Sequence, residues 1–374
     1  MVIGIDARFY GPVGKGLGRY TEKLVQNLED AADGRHEFVI FLRRENFDLY
    51  QPTKPNFRKV LADFGWYTWA EQAQLPKLIR QEGIELMHFP HFNVPLFTPV
   101  PFIVTIHDLI LFRYPTRRAT TLPPFVYAVK YAAYRLVIAR AIRRARRIIA
   151  VSEYTKRDIL ENFHVLAERI TVTYEAADEM VAPGTASVNL TAHGVTKPYF
   201  LYVGNAYPHK NLELLLEAFQ KLRESKLESQ LVLIGKSDYF YERVRAEALN
   251  LGLEKDVIFW GYATDRDLAG IYAAARVYVF PSLLEGFGLP PLEAMRYGIP
   301  VAAAGNSCLP EVLGDAAIYF EPTDIDDMAG SMRRVFEDEA LRRELKEKGP
   351  RRVATFSWRR CAEETLQVYD HALE

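Results

Sequence analysis

The stretch that most constrains this chain is 277–300, Val-Tyr-Val-Phe-Pro-Ser-Leu-Leu-Glu-Gly-Phe-Gly-Leu-Pro-Pro-Leu-Glu-Ala-Met-Arg-Tyr-Gly-Ile-Pro. The apolar run Val277–Phe280 reads as a buried strand, Gly286 and Gly288 mark a turn, and a helix opens near Pro290–Pro291. Proline suits a first helical turn because the N–H it lacks has no helical partner there. The glycines let backbone approach a ligand and expose its amides. A strand end, exposed amides and a helix N-terminus together favour anions and polyhydroxylated ligands. Glu285 sits on the turn and Glu293 in the first turn of the helix, with seven residues between them. A carboxylate accepts hydrogen bonds from paired sugar hydroxyls. A glutamate in a first helical turn also gains ~0.3–1 kcal/mol from the helix dipole with no ligand at all. Both readings of Glu293 stay open.

At 374 residues the chain is long for one core, so two domains are expected. Apolar runs at Val2–Ile5, Glu37–Leu42, Leu86–Phe89, Phe102–Ile106, Ile148–Val151 and Ile170–Tyr174 read as strands with helical stretches between them. Leu231–Ile234, Val257–Phe259, Val301–Ala304 and Ala317–Phe320 repeat the pattern. Such alternation argues for parallel α/β sheets. The expected division is 1–178, a linker over 179–196 that loses periodicity, 197–356, and a last helix within 357–374. A net charge of −1 gives no electrostatic signature for nucleic acid. Two cysteines, Cys308 and Cys361, argue against a disulfide framework. Met1–Asp6 reads as a first strand and not as a signal peptide, and no apolar run approaches ~20 residues. The expectation is a cytoplasmic protein.

Three further places can hold chemistry. Gly11, Gly14, Gly16 and Gly18 separate the first strand from a helix carrying Leu17, Tyr20, Leu24 and Leu28 at helical spacing. Strand, glycine loop and helix form a phosphate-cradle arrangement, common also in strand-to-helix turns without ligands. His107-Asp108 ends the strand Phe102–Ile106, where open α/β sheets bind ligands. Lys210 stands near the start of a helix with Leu212, Leu215, Leu216 and Phe219 inward. A cation there opposes the helix dipole and suggests an anionic partner. Asp265-Arg-Asp267 and Asp324-Ile-Asp326 look like metal motifs, yet both open helices, so N-terminal acid placement explains them. No catalytic metal and no cofactor are expected.

Taken together, these motifs resemble the retaining, nucleotide-sugar-dependent glycosyltransferases of family four. The resemblance is carried by the E-x7-E pair around Gly-Phe-Gly-Leu-Pro, Thr-Ile-His-Asp-Leu at 105–109, Ser152-Glu-Tyr-Thr-Lys-Arg-Asp158, and Val-Gly-Asn with His-Lys-Asn at 203–211. It implies a GT-B fold, two Rossmann-like α/β domains facing across a central cleft. It implies Glu293 on the donor ribose, and Glu285 beside the donor sugar with the amides of Gly286, Phe287, Gly288 and Leu289. It implies His107 at the reacting centre and Lys210 on the diphosphate. Gly16 and Leu17 would lie on the diphosphate or the acceptor, and Gly261 and Tyr262 on the base. Asn205 stands where many members carry arginine, which leaves the second positive charge to His209 or to an arginine from elsewhere. The variants at 105–109 and 203–211 resemble those of polysaccharide mannosyltransferases, implying GDP-mannose as donor, with UDP-hexoses as the alternative and a catalytically inactive binding protein as a non-enzymatic one. The acceptor would be a glycan or a polyprenyl-linked sugar.

The segment Leu109–Ser152 holds no Asp or Glu but many arginines. Tyr127, Tyr131, Tyr134, Ile138 and Ile142 share one helical face, with Arg140, Arg143, Arg144 and Arg147 near the other. A basic amphipathic helix can lie on an anionic membrane. It can equally be a domain helix with solvated arginines. Residues 113–147 are therefore a candidate peripheral contact with the inner membrane face.

Overall fold

The computed structural model describes residues 1–177 and 188–372; residues 179–187 of the expected linker lie outside the described residues. The strands are β1 (Val2–Asp6), β2 (Glu37–Leu42), β3 (Phe57–Leu61), β4 (Leu86–Phe89), β5 (Phe102–Ile106), β6 (Arg147–Ala150), β7 (Ile170–Val172), β8 (Tyr199–Val203), β9 (Gln230–Ile234), β10 (Val257–Gly261), β11 (Val277–Phe280), β12 (Val301–Ala304) and β13 (Ala317–Phe320). The helices are α1 (Lys15–Ala31), α2 (Trp69–Gln81), α3 (Ile110–Arg113), α4 (Pro124–Arg144), α5 (Glu153–Asn162), α6 (Leu212–Glu224), α7 (Tyr239–Asn250), α8 (Asp265–Ala274), α9 (Leu289–Arg296), α10 (Leu309–Leu313), α11 (Ile325–Glu337), α12 (Glu339–Val353) and α13 (Trp358–His371).

They form two compact units, one of Met1–Arg113, Thr120–Glu175 and Ser357–Glu374, the other of Tyr114–Ala119 and Ala176–Phe356. The segment Tyr114–Ala119, expected inside the first domain, groups with the second unit, where Arg118 donates to Glu213. Each unit holds one all-parallel sheet, in the order β3-β2-β1-β4-β5-β6-β7 in the first and β10-β9-β8-β11-β12-β13 in the second. The chain steps outward in one direction, then restarts beside its own first strand. The restart leaves a crevice at the carboxyl ends of β1 and β4, and another at those of β8 and β11.

Strands covered on both faces read as continuous apolar runs, and Ile3, Ile5, Phe38–Leu42, Ile103 and Val104 are fully buried in the first unit. β4 carries an exception, His88, whose ring bonds Tyr369 Oη at 2.7 Å and Thr105 Oγ1 at 2.9 Å. Burial, with the nearby charge of His107, presses its pKa down to about 3, so it is a neutral core histidine. Tyr369 comes from α13, which packs along α1 and joins the first unit's core. Cys361 of the same helix lies beside Thr173, buried and unpaired with any other cysteine.

The acid-free segment differs from its sequence pattern. Arg147 is not on the helix; it begins β6 and donates to the carbonyls of His371 and Glu168. Arg113 pairs with Asp158 and Glu161, so acids from α5 neutralise it. On α4 only Ile138, Ala141 and Ile142 are buried, while Tyr127, Tyr131 and Tyr134 are half-buried and stack in series. The outer face is apolar, not basic, over its first half. Phe125, Val129 and Leu136 recur on one stripe and are 80%, 54% and 60% exposed. No helix among the described residues is long and apolar enough to cross a membrane.

Candidate functional site

In the second unit, the crevice between β8 and β11 brings the Lys210 turn against the Glu285 turn. After β8 the chain makes a short 3₁₀ turn, Pro208–Lys210, and enters α6 through Asn211 in a left-handed conformation, φ 61°. Asn211 Nδ2 donates to the carbonyls of Pro281 and Pro322, and Leu283 N donates to His209 O at 2.8 Å. These bonds fix the two turns to each other. Lys210 Nζ then lies 2.6 Å from Glu285 Oε1 and 5.4 Å from the centre of the Phe280 ring, the two side chains keeping 13% and 10% of their exposure. The strand end after β12 joins them: Asn306 Nδ2 donates to Leu283 O, and Glu285 N donates to Ser307 Oγ.

Beyond Glu285 the chain runs through Gly286 and buried Phe287 to Gly288, which caps α9 at φ 91°. That φ favours glycine, and a Cβ there would stand 2.8 Å from Leu309 Cδ2. Leu289 is the first residue of α9, so Glu293 is its fifth, in the second turn. This corrects the first-turn placement, and the helix-dipole explanation of Glu293 falls with it, since that effect fades after the first turn. Glu293 is buried, with Tyr278 nearby.

The remaining expectations in this unit divide. Gly261 ends β10 at φ 84°, and Tyr262 beyond it is 81% exposed. Asn205 is occupied by its own turn, its Oδ1 accepting from Tyr207 N and its carbonyl from Tyr202 Oη. Burial and the neighbouring Lys210 charge press the His209 pKa down to about 4, which disfavours a positive charge there. The aspartate pairs act as helix caps. Asp267 shares a capping box with Thr264, and Asp324 Oδ1 accepts from Asp326 N and Asp327 N.

In the first unit, the residues after β1 turn through a 3₁₀ segment, Pro12–Gly14, into α1, whose N-cap Gly14 offers no side-chain bond and whose first turn holds no acid. Gly18 is required by packing, because a Cβ would meet Gly11 O at 2.1 Å and Phe9 O at 2.5 Å. Gly16 is not, for nothing lies within 4 Å of a Cβ there. Gly16 is exposed and Leu17 half-buried beside it, so both are open to a ligand.

His107, at the end of β5, is held from three sides. Nδ1 lies 3.0 Å from Glu175 Oε1, Nε2 lies 2.9 Å from Pro90 O, and the Tyr20 ring stands edge-on with centroids 4.6 Å apart. Thr155 Oγ1 donates to its carbonyl oxygen. Burial works against a charged ring, but the Glu175 carboxylate, the Pro90 carbonyl and Asp108 outweigh it, and the His107 pKa is raised. Asp108 Oδ1 accepts from Ile110 N and so caps the start of α3.

Several residues carry no signal in the sequence. Arg8 is fully buried, paired to Asp6 at 2.7 Å and Glu71 at 2.5 Å, and Glu71 in turn accepts from Asn93 Nδ2 and Tyr67 N. Phe9 stacks on Trp66 at 4.3 Å. The only local hint of Arg8 is its place two residues after β1. Glu175 comes after β7 with no motif around it.

Comparison with known proteins shows the family. Residues 14–179 match the family model described as Glycosyltransferase Family 4, and residues 189–352 the one described as Glycosyl transferases group 1. O-antigen chain mannosyltransferase B of Escherichia coli is 31% identical over 354 residues, 92% of this chain and 86% of that protein. O-antigen chain mannosyltransferase RfbU of Salmonella typhimurium is 25% identical over 87% of this chain and 88% of its own. The crystal structure of Anabaena HepE in complex with UDP-glucose superposes with a TM-score of 0.75, at 16% identity, over 99% of both chains. The chain belongs to glycosyltransferase family four, with its two-domain GT-B fold, and is a mannosyltransferase-like glycosyltransferase.

Proposed function

We propose that the protein transfers a hexose, with mannose from GDP-mannose the first choice, from a nucleoside diphosphate sugar to a hydroxyl of a glycan or lipid-linked acceptor, retaining anomeric configuration. The observation that carries this reading is the Lys210–Glu285 pair at the crevice of the second unit, opening onto the turn Gly286–Leu289. Breaking the sugar–phosphate bond leaves negative charge on the diphosphate and positive charge on the sugar carbon. An ammonium and backbone amides at a helix start suit the first, and placed donors of this kind supply ~3–4 kcal/mol each in enzymes. The diphosphate competes with Glu285 for Lys210, and Glu285, once released, accepts from sugar hydroxyls. Glu293, buried behind them, takes the ribose hydroxyls; Gly261 and Tyr262 flank the base; Asn205 shapes the turn below the phosphates. In the first unit, His107 serves the sugar, and Gly16 and Leu17 the diphosphate or acceptor. None of these steps calls on a cofactor or metal. GDP-mannose leads because named relatives are mannosyltransferases; the UDP-glucose complex of HepE keeps UDP-hexoses as the alternative donors. The test is release of nucleoside diphosphate from a panel of GDP- and UDP-sugars, with and without mannan-type acceptors. Donor binding without any release would make the protein an inactive binder.

A second reading places the enzyme at the cytoplasmic face of an anionic membrane. It is supported by the exposed stripe Phe125, Val129 and Leu136 on α4. It is supported also by a cavity of about 440 Å³ lined by Arg80, Arg140 and Arg144 together with Val94–Phe102, with no acid in its lining. Each cation near such a surface contributes roughly 1 kcal/mol, screened by salt. Co-sedimentation with anionic but not neutral vesicles, lost at high salt and in Arg140/Arg143/Arg144→Glu, is the expected result. No sedimentation at low salt would refute it.

A further inference from the structure

Both ring nitrogens of His107 are committed within the first unit. The Pro90 carbonyl oxygen, 2.9 Å from Nε2, can only accept, so Nε2 carries a hydrogen. The carboxylate of Glu175, 3.0 Å from Nδ1, accepts as well, so Nδ1 carries one too. Turning the ring over exchanges the nitrogens without giving either a donor to face. A histidine flanked by two acceptors is an imidazolium.

The titratable neighbours add no second charge to the ring. His91 is neutral, its pKa pressed down to about 3 by burial and by the His107 charge, and His88 behaves the same way. Tyr20 of α1 is protonated, because burial holds its pKa well above the usual value. Cys361 of α13, near Glu175, is likewise neutral, pushed up to about 12 by burial. Glu175 and Asp108 are the carboxyl groups whose contact with the ring raises the His107 pKa.

We propose that Glu175 is a positioning residue that holds His107 as a fixed imidazolium, so that His107 serves the transfer as a placed positive charge and not as a base. A ring with both nitrogens protonated and bonded cannot take the proton of an attacking hydroxyl. Its charge instead favours binding of an anionic donor, whose sugar it serves. The proposal rests on the reading of His107 as part of the sugar site.

The charge state is measured on the full-length ¹⁵N-labelled protein by ring-nitrogen spectra, with His107→Gln for assignment. Both His107 nitrogens should be protonated at pH 7.5. In Glu175→Gln, which keeps the shape, the pKa of His107 should fall by about 1–3 units, the usual effect of losing one adjacent charge. Donor turnover should decline in the wild type as pH rises through the pKa of His107, and in Glu175→Gln the decline should move down by the same interval. A neutral His107 at pH 7 in the wild type overturns the proposal without need of any variant. A pH-independent loss in Glu175→Gln overturns it too, leaving Glu175 structural. Imidazolium spectra with no donor turnover at any pH would instead overturn the transferase reading and the role assigned to the charge, while the ion pair itself stood.

Discussion

Replacing Lys210 by alanine separates two consequences that the structure ties together. Glu285 would lose the ammonium 2.6 Å away while keeping its buried position. Removing one partner of a buried pair costs ~3–5 kcal/mol, because the other charge is left uncompensated. The pair keeps about a tenth of its exposure, so water offsets part of this and the lower end, ~3 kcal/mol, is the better value. For a domain of the size of the second unit, 1 kcal/mol moves Tm by ~2–4 °C, so the expected drop is about 6–12 °C. Activity should fall at least ~100-fold, the scale of losing one charge-stabilising donor. Stability and activity then part company in Lys210→Met/Glu285→Gln. With both charges removed, stability should return to within about 1–2 kcal/mol of wild type, while turnover stays lost. Differential scanning calorimetry reads the first and nucleoside diphosphate release the second. Lys210→Ala should also bind nucleoside diphosphate more weakly but nucleoside unchanged. A variant that melts with the wild type and binds both ligands normally would refute the assignment of Lys210 to a buried pair and to the diphosphate together.

Glu293→Gln keeps its shape but weakens charge-assisted hydrogen bonds worth ~1.5–3 kcal/mol, so donor affinity by calorimetry should drop about tenfold or more. Glu285→Gln frees Lys210, so nucleoside diphosphate should bind at least as well as in wild type while sugar transfer falls; weaker nucleotide binding would count against the competition between Glu285 and the phosphates. Gly16→Ala should fold and melt normally yet lose turnover, whereas Gly18→Ala should be strongly destabilised by its clash with two carbonyl oxygens; thermal melts and donor release distinguish the pair. Tyr369→Phe removes the hydroxyl on His88 Nδ1 and should cost the first unit ~1–3 kcal/mol in urea unfolding, the range for a buried polar group left without its partner.

The strands are legible because a strand buried on both faces has no polar positions to blur it. Most candidates agree with the observed elements to within two residues. The exception is β3, Phe-Arg-Lys-Val-Leu, which lies at the sheet edge and buries little beyond Phe57. Its composition is that of a loop with two cations, and only pairing with β2 makes it a strand. The start of α9 differs from its sequence signal for a local reason. The two prolines suggest the first helical position, but the helix begins one residue before them at Leu289, capped by Gly288 in a left-handed conformation. With Leu289 as the first residue, Glu293 falls beyond the first turn, which removes the dipole explanation for it. On α4 the pattern puts Tyr127, Tyr131, Tyr134, Ile138 and Ile142 on one face, yet only Ile138 and Ile142 of these are buried, and the stripe Phe125–Leu136 is exposed.

The site is legible in its parts and not in its pairings, and the reason is topological. Lys210 and Glu285 are 75 residues apart, and each stands after its own strand. Nothing in either motif says that β8 and β11 are neighbours; that comes from the strand order, in which the chain returns to pair its fourth strand of the unit with its first. Once that order is set, two strand-end turns must share one crevice, and a cation on one and a carboxylate on the other must meet unless a ligand separates them. The same logic explains why Glu175 carries no sequence signal. It lies in the chain beyond β7, two strands from β5, and reaches His107 because that chain runs back over the carboxyl edge of the sheet. A motif locates residues that act through their own backbone, as in the turn Gly286–Leu289. Residues that act by fixing another side chain from a distant strand leave no local pattern, and for them the order of the sheet supplies what the sequence does not.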